Sequence, residues 1–489
     1  MSRWQLALLA SVFGLGLRAL VGQGPYSGMG VPPMHGDFEA QRHWMEITKH
    51  LPTKEWYSGT HEMNDLGYWG LDYPPLTAYH SWLFGEWFHL AHPPMVELGK
   101  SRGKEDFMTK TWMRFSALLS DAVVFFPSIL WFAWCSHRNN NNYQSKQWFA
   151  YLIMVFASPS LILVDHGHFQ FNCVCHGLVV FALAFALKSD SSRLTNRDAV
   201  ITCIFFSLAL NFKQMALYYA LAFFVYLLRW SLDNIWTRLP LLALAVLVTF
   251  LVVWGPFLWS STHLQVLHRV FPFERGIFED KVANFWGVSN LAIKWKLVCS
   301  AGQLKLLSLG LTLSSCLLAL ARLWYFPNLL LSAMFCVSLG FFLFAFQVHE
   351  KSILLPLIPA LLVRTESNAF AVGFSLACSF SLFPLFVKDG IAFTALVLNA
   401  AYVLLGWLVM EFSTKEWLLL GGMCLGFVCL SALLVGAESP FPALPDLFVV
   451  AHNAYSFLVF VGFALYGNLV LLFPPPSPRG EGTAKNKEE

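Results

Sequence analysis

Apolar stretches long enough to cross a membrane recur along nearly the whole chain. Hydrophobic residues make up 57% of the sequence and charged residues only 12%, whereas a soluble domain carries about 25% charged residues. Only helices and closed barrels are stable across a bilayer, and a helix needs about 20 apolar residues to do so. The sequence therefore predicts an all-α polytopic membrane protein. The net charge of +3 is too small to indicate a nucleic-acid partner.

The predicted spans begin close to the N-terminus and continue to residue 473. Arg18 interrupts the first apolar run and no small-x-small site follows it, so this run is interpreted as a span, with a cleaved signal peptide as the alternative. No internal repeat is evident. The fourteen predicted spans are 4–22, 113–135, 148–164, 173–188, 198–212, 215–229, 237–259, 303–321, 328–346, 352–363, 369–387, 391–411, 416–436 and 447–473.

Two long polar loops are expected, at about 23–112 and 260–302. The first contains a stretch dense in Asp, Glu, His, Arg, Trp and Tyr, from His35 to Ser81. A solvated loop is seldom so rich in aromatic residues, so this stretch is interpreted as the floor of an active site at the membrane surface. Asp37 and Asp72 are its candidate acid–base carboxylates. Asp37 is expected to cap a helix over 38–49, and the prolines after Tyr73 to start another helix.

Lysine and arginine follow the positive-inside pattern when the N-terminus is cytosolic. The cytosolic connectors then hold most of these residues, and the opposite ones hold chiefly Lys213, Lys351 and Lys388. Both long polar loops are therefore predicted to be lumenal and both termini cytosolic. A single membrane domain is expected over 1–473, and residues 474–489 are expected to form a disordered tail.

The last five residues, Lys485-Asn486-Lys487-Glu488-Glu489, fit a K-x-K-x-x retrieval signal that a retrieval coat would read in the cytosol. The alternative is a charged tail without an address. The signal agrees with the topology derived from the connectors and predicts a protein of the endoplasmic reticulum membrane.

Five polar clusters fall on the lumenal side of this topology, which is typical of a one-sided catalytic site. Metal binding by Asp165, His166 and His168 is one alternative, although no further set of ligands completes a site. Group transfer from a phosphate-linked donor fits better, since it needs a carboxylate base and cations for the departing phosphate. The candidate bases are Asp37 and Asp72, and the candidate cations are Arg275, Lys213, Lys281, His349 and Lys351. The many Trp and Tyr rings suit sugar stacking.

Four segments closely resemble the dolichyl-phosphate-glucose-dependent alpha-1,3-glucosyltransferase family of the endoplasmic reticulum. They are GDFEAQRHWMEIT at 36–48, WGLDYPPLTAYHS at 69–81, FPFERGIFEDKVANFW at 271–286 and VHEKSIL at 348–354. The first two runs fit the family members that add the first glucose to the nine-mannose lipid-linked oligosaccharide. Members that add the second glucose share D-F-E and L-D-Y-P-P and are the closest alternative.

The resemblance implies a GT-C fold in which an acidic residue shortly after the first span acts as the base. That residue is Asp37, which would take the proton of the mannose 3-hydroxyl while the oxygen attacks the glucose anomeric carbon with inversion. His349 would hold the donor phosphate, assisted by Arg275 and Lys351; Glu274 stands where a small residue is expected. The candidate substrate contacts are Asp72, Glu39, His168, Gln170, Lys213, Trp69 and Tyr73.

The expected partners are dolichyl phosphate glucose, the dolichyl-diphosphate-linked oligosaccharide and the lipid bilayer, and no metal or other cofactor is expected. A lipid or sugar transporter is the alternative from another class, but a transporter predicts internal repeats and charges at the membrane midplane. A non-catalytic scaffold would not need polar clusters gathered on one face.

Overall fold

The computed structural model describes residues 2–137, 145–188, 194–271, 282–363 and 367–473, and over these ranges it is helical without strands. Within them, eight helical segments are long and apolar enough to cross a membrane. A ninth is counted if Lys146–Phe156 and Pro159–Phe169, bent by 42°, form one span. The predicted all-helical, polytopic architecture is confirmed. The eight segments are Arg3–Val21, Phe107–Ser136, Gln214–Trp259, Ala301–Tyr325, Pro327–Phe344, Ala392–Val409, Thr414–Gly436 and Leu447–Leu472.

The first half of the chain contains α1 Arg3–Val21, α2 Gly36–His50, α3 Pro75–Ala91, α4 Phe107–Ser120, α5 Phe126–His137, α6 Ser145–Phe156, α7 Pro159–Ile162, α8 Asn172–Ala186, α9 Asn196–Phe212, α10 Ala220–Ser231 and α11 Ile235–Trp259. The second half contains α12 His263–Val270, α13 Phe285–Ser289, α14 Trp295–Val298, α15 Ala301–Tyr325, α16 Leu330–Phe344, α17 Leu354–Leu362, α18 Asn368–Ser381, α19 Phe383–Lys388, α20 Ala392–Val409, α21 Thr414–Gly436 and α22 Leu447–Leu472.

Shorter helical pieces join these helices. The π-helical pieces are Asp121–Phe125 and Leu163–Phe169, and the 3₁₀ pieces are Thr53–Glu55, Pro93–Met95, Gln214–Tyr219, Leu232–Asn234, Pro327–Leu329 and Glu350–Ile353. Several long helices begin with side-chain caps that the sequence encodes. Ser2, Ser300 and Ser413 each form a capping box with the Gln or Glu three residues later.

The predicted number of fourteen spans is not confirmed by the described part of the chain. The apolar runs of α8 and α18 are shorter than the length needed to cross a bilayer, and every residue of α17 is buried. A short apolar run buried on all sides is typical of a core helix rather than of a membrane span. Two other predicted spans, 215–229 and 237–259, fall in the one continuous helical segment Gln214–Trp259.

The first polar loop lies between the end of α1 and the start of α4, and it contains α2 and α3. Helix α3 begins at Pro75 as predicted. Helix α2 begins at Gly36 with His35 before it and without a side-chain cap. The prediction that Asp37 caps this helix is therefore wrong, because Asp37 lies inside the first turn.

Two contacts fix the first loop against the rest of the protein. The Thr77 hydroxyl of α3 donates to the Phe212 carbonyl at the end of α9. In the second polar loop, the guanidinium of Arg269 on α12 donates to the carbonyls of Gly70 and Leu71, at 2.7 and 3.2 Å. The first polar loop, which the sequence predicts to form the floor of the active site, is thus held in place by α9 and α12.

Candidate active site

Just before Asp37, the backbone at Ser27 and Gly28 packs directly against the backbone at His35 and Gly36, and the two segments cross. Gly28 and Gly36 both have positive φ, at 74° and 68°. A Cβ added to Gly28 would lie 2.1 Å from the His35 carbonyl carbon, and one added to Gly36 would lie 2.7 Å from that of Ser27. Glycine is required at such positions because a side chain would meet backbone. The crossing sets where α2 starts and hence where Asp37 lies.

Ser27 links this crossing to a second element. Its hydroxyl accepts a hydrogen bond from the Asp37 N–H at 3.2 Å, and its own N–H donates to the His168 carbonyl at 3.0 Å. The backbones of the first loop and of the π-helical piece Leu163–Phe169 are therefore connected through one residue.

The Asp37 carboxylate receives three side-chain donors on one oxygen. Oδ2 lies 3.0 Å from His168 Nε2, 2.5 Å from Gln170 Nε2 and 2.7 Å from Lys351 Nζ. Within the described part of the chain, every hydrogen bond to this side chain goes to Oδ2. The side chain remains 25% exposed, so Oδ1 is available to a bound molecule. The carboxylate is fixed through one oxygen and can accept a proton on the other.

A strained residue explains why His168 and Gln170 face the same carboxylate. Phe169 between them has a φ of 91°, an uncommon conformation for a residue with a side chain. Its ring is fully buried and packs against Phe38, with ring centroids 4.9 Å apart. The packing holds the turn, and the turn presents the residues on either side of it to Asp37.

The charges around Asp37 keep it ionised. Burial by itself would raise the pKa of Asp37, but the ammonium of Lys351 and the neighbouring His168 hold it well below its usual value. In the same way, burial opposes a charge on Lys351, and the carboxylates of Asp37 and Glu350 raise its pKa. The two residues therefore face each other as an ion pair.

A buried amine extends the network away from Asp37. Lys213 Nζ donates to Gln170 Oε1 at 3.3 Å and to Asn172 Oδ1 at 2.5 Å, and it lies 4.9 Å from the centroid of the Tyr73 ring. Burial, together with the charge of Lys351, lowers the pKa of Lys213 to about 8. The Tyr73 hydroxyl also donates to Gln170, at 3.4 Å.

Residues 14–466 of this chain match the ALG6, ALG8 glycosyltransferase family. The chain belongs to this family. It is 43% identical to a protein of Arabidopsis thaliana named probable dolichyl pyrophosphate Man9GlcNAc2 alpha-1,3-glucosyltransferase, over 81% of this chain and 74% of that protein. Two further relatives are named dolichyl pyrophosphate Man9GlcNAc2 alpha-1,3-glucosyltransferase. The one from Saccharomyces cerevisiae is 42% identical over 84% of this chain and 75% of that protein. The one from Gallus gallus is 37% identical over 98% of this chain and 99% of that protein.

Among solved structures, the chain is similar to apo ArnT from Cupriavidus metallidurans, with 15% identity, a TM-score of 0.45 and coverage of 95% of this chain and 76% of that one. Membership of a glycosyltransferase family sets aside the transporter and scaffold alternatives.

The structure brings together most of the site residues that the sequence predicts for this glycosyltransferase. Asp37, His168, Gln170 and Lys351 are in direct contact, and Lys213 and Tyr73 join them through Gln170. His349 precedes the 3₁₀ turn that carries Lys351 and is partly exposed. Arg275 and Lys281, like the proposed retrieval signal, lie outside the described residues.

Three other predicted residues do not contact Asp37. Glu39 is 1% exposed, and its carboxylate pairs with the guanidinium of Arg42 at 2.6 Å, so it has a structural role in place of the predicted substrate contact. The Trp69 indole donates to the Met34 carbonyl, which closes the loop ahead of α2. Asp72 is partly exposed beside Tyr73.

Sequence reasoning missed Ser27 and Asp389. Asp389 accepts a hydrogen bond from His168 Nδ1 at 2.6 Å and is buried behind the site. The available signal was a carboxylate at the end of an apolar run, directly before Gly390. Ser27 carries no such signal, because serine is common in loops.

The two histidines of the predicted metal alternative, His166 and His168, bind different carboxylates. His168 contacts Asp37 and Asp389, whereas His166 contacts Asp121 at 2.9 Å, so the two histidines do not converge on one point. Elsewhere in the described residues, Asp121, Asp165 and Cys173 lie close enough to share an ion. Arg18, however, already donates to Asp121 Oδ2 at 2.6 Å, and its positive charge opposes a cation there. These residues do not fit a metal.

We expect Lys351→Gln to move the acid limb of the pH profile of kcat/KM to higher pH. The base must be ionised to work, and in the wild-type protein Lys351 and His168 hold the pKa of Asp37 well below its usual value. Removing the ammonium raises this pKa, so the variant loses activity at a pH where the wild-type protein is still active. Lys54→Gln, at an exposed position in the same loop, removes the same charge and should leave the acid limb in place. An unmoved limb in Lys351→Gln would contradict the assignment.

Proposed function

We propose that this protein transfers glucose from dolichyl phosphate glucose to the terminal mannose of the lipid-linked nine-mannose oligosaccharide, in alpha-1,3 linkage. The observation that supports this most directly is the carboxylate of Asp37, held by three donors on Oδ2 and open on Oδ1. A glycosyltransferase needs such a group within reach of the hydroxyl that attacks. The names of the relatives supply the acceptor and the linkage.

In the proposed step, the 3-hydroxyl oxygen of the mannose attacks the anomeric carbon of glucose as the bond from that carbon to the phosphate oxygen breaks. The hydroxyl proton goes to Oδ1 of Asp37, and dolichyl phosphate leaves with the bonding electrons. A beta-linked donor then gives an alpha-linked product. Lys351 and His168 hold the base in its ionised form before the attack, and His349 would contact the phosphate as negative charge develops on it.

The proposed setting is the endoplasmic reticulum membrane, with the first loop in the lumen and both termini in the cytosol. The positive-inside pattern of the short connectors supports this orientation. Two lipid-borne substrates would reach the site from the bilayer, which accounts for a catalytic carboxylate close to the end of the first span. No metal takes part in the proposed step, in which Lys351 and His168 keep the base ionised and His349 contacts the leaving phosphate.

The deciding experiment is transfer by the purified full-length protein in lipid nanodiscs. The donor is dolichyl phosphate glucose, and the acceptors are the nine-mannose lipid-linked oligosaccharide with no glucose or with one glucose. We expect transfer to the first acceptor only, with an alpha-1,3 product and an unchanged rate in the presence of a chelator. Transfer only to the acceptor that already carries glucose would instead assign the second step. No transfer to either acceptor would contradict the proposal.

We expect His349→Ala to lower turnover strongly at saturating donor. The leaving phosphate gains negative charge in the transition state, so a group that contacts it stabilises that state more than the bound donor. The measurement is kcat and the donor KM for the wild-type protein, His349→Ala and the control His268→Ala, at an exposed position on α12. A change confined to the donor KM in His349→Ala would show that the residue binds the ground state equally well.

A further inference from the structure

A second carboxylate lies directly behind His168. Asp389 follows α19, and its Oδ2 is 2.6 Å from His168 Nδ1. The Asp389 side chain is 2% exposed, and within the described residues its hydrogen bonding is to His168 alone. A buried carboxylate is strongly destabilising without a partner that donates a proton to it. The contact therefore requires a hydrogen on Nδ1 of the ring.

The other ring nitrogen also requires a hydrogen. His168 Nε2 lies 3.0 Å from Asp37 Oδ2, and both atoms would be acceptors if neither carried a proton. Asp37 pairs with the ammonium of Lys351 at 2.7 Å and is therefore ionised. Lys351 Nζ also lies 3.2 Å from Nε2, but its shorter contact is with Asp37, so we assign the proton between Asp37 and His168 to the ring. His168 is then an imidazolium between two carboxylates, with both N–H groups used.

We propose that Asp389 is a positioning residue, which keeps His168 doubly protonated so that the ring donates to Asp37 and leaves Oδ1 of Asp37 for the acceptor hydroxyl. Asp389 acts only through His168, since it does not contact the candidate base. This inference rests on the proposed function, because it assigns to Asp37 the part of the base.

The charges around the ring are consistent with this arrangement. The groups that face His168 are Asp37 from α2, Lys351 from the turn before α17 and Asp389 from the turn after α19. Two carboxylates, one imidazolium and one ammonium sum to zero, so the buried group carries no net charge. Arg114 of α4 lies near Asp389, and Lys213 lies near Asp37. When Asp37 takes a proton, the group becomes positive as the leaving phosphate becomes more negative.

Asp389→Asn tests the proposal with little change of shape. Without the second charge the ring is expected to lose a proton and to present a lone pair to Asp37. We expect kcat to fall about 10–100-fold, by analogy with the loss seen when the group that orients a metal-bound histidine is removed, with the KM of both substrates nearly unchanged. A merely structural role would lower the yield of folded protein and leave its kcat unchanged.

The second variant is His168→Gln, whose amide keeps a neutral N–H donor for Asp37 and offers nothing to Asp389. In this background Asp389→Asn should cause no further loss of kcat. It should also raise Tm, because His168→Gln leaves a buried carboxylate without a partner and the second change removes that charge. An equal loss of kcat from Asp389→Asn in both backgrounds, or a lower Tm in the double variant, would overturn the proposal.

The matched control is Asp121→Asn, another buried carboxylate that binds a histidine of the same π-helical piece, His166 at 2.9 Å, without contacting Asp37. It should lower Tm and leave the kcat of the folded protein unchanged. If the wild-type protein transfers no glucose, the proposed function fails, whereas the Tm comparison still tests the coupling of Asp389 to His168. If the wild-type protein is active and Asp389→Asn keeps its full kcat, only the inference about Asp389 fails.

Discussion

Replacement of Asp37 by asparagine is expected to abolish nearly all glucosyl transfer. Removing general base catalysis typically lowers a rate about 10²–10⁴-fold. The structure makes this substitution informative, because three donors converge on the Oδ2 position. The single oxygen of the asparagine amide should occupy that position, which places its NH₂ group where Oδ1 faces the acceptor. That group cannot take a proton.

The measurement is kcat in nanodiscs, together with binding of both lipid-linked substrates. Asp37→Asn should fold and should still bind them. Asp72→Asn is the matched control, since it removes a partly exposed carboxylate from the same loop and should mainly impair expression or binding. Substantial turnover by Asp37→Asn, together with a well-folded but inactive Asp72→Asn, would reverse the assignment of the base.

Gly28→Ala is expected to have the second-largest effect, on both folding and activity. The new methyl group would lie 2.1 Å from the His35 carbonyl carbon, so the crossing ahead of α2 must open. Overpacking costs about 1–3 kcal/mol, in addition to the roughly 1–2 kcal/mol of placing alanine at positive φ. An opened crossing displaces Asp37, and a misplacement of about 1 Å can lower a rate about 10²-fold.

Gly30→Ala separates the cost of the steric clash from the cost of placing alanine at positive φ. Gly30 has a similar φ of 68°, but nothing lies within 4 Å of the position that its Cβ would take. It should therefore show only the backbone penalty and keep nearly full kcat. The comparison uses Tm and the kcat of the folded fraction for both variants. Equal losses in the two variants would mean that the crossing does not position Asp37.

The sequence predicts the chemistry of this site better than its contacts. Asp37, His168, Gln170 and Lys351 stand out because polar residues at the ends of apolar runs are rare in a membrane protein. Their mutual geometry is less accessible, since Lys351 meets Asp37 across 314 positions of the chain. The sequence-based prediction assigns Lys351 to the donor phosphate, whereas the structure pairs it with Asp37. The neighbouring residues in the sequence do not reveal whether a lysine contacts a phosphate or a carboxylate.

The other differences between the sequence-based predictions and the structure arise because burial is not visible in the sequence. Glu39 and Arg42 are one helical turn apart, and the sequence alone does not distinguish an exposed pair from one that is fully enclosed. Asp389 is hidden from sequence analysis for the opposite reason, because a single acidic residue before a glycine usually indicates a solvated turn. The predicted number of spans is not confirmed because some apolar runs, such as α17, are buried among other helices, and the sequence does not distinguish them from runs that face lipid.

The ion pair of Arg18 with Asp121 has a consequence for the order in which this protein is assembled in the membrane. The two residues are 103 positions apart. The Arg18 side chain is fully buried where α1 packs against later segments of the chain. During synthesis α1 is made long before its counter-charge. An arginine at the centre of a lone membrane helix costs about 2.5–3.5 kcal/mol; Arg18 lies in the last turn of α1, where this cost is smaller, but its charge still has no partner until Asp121 has been made. The first helix is therefore expected to stay with the insertion machinery until the chain has passed Asp121, and to enter the bilayer together with the helices that enclose Arg18.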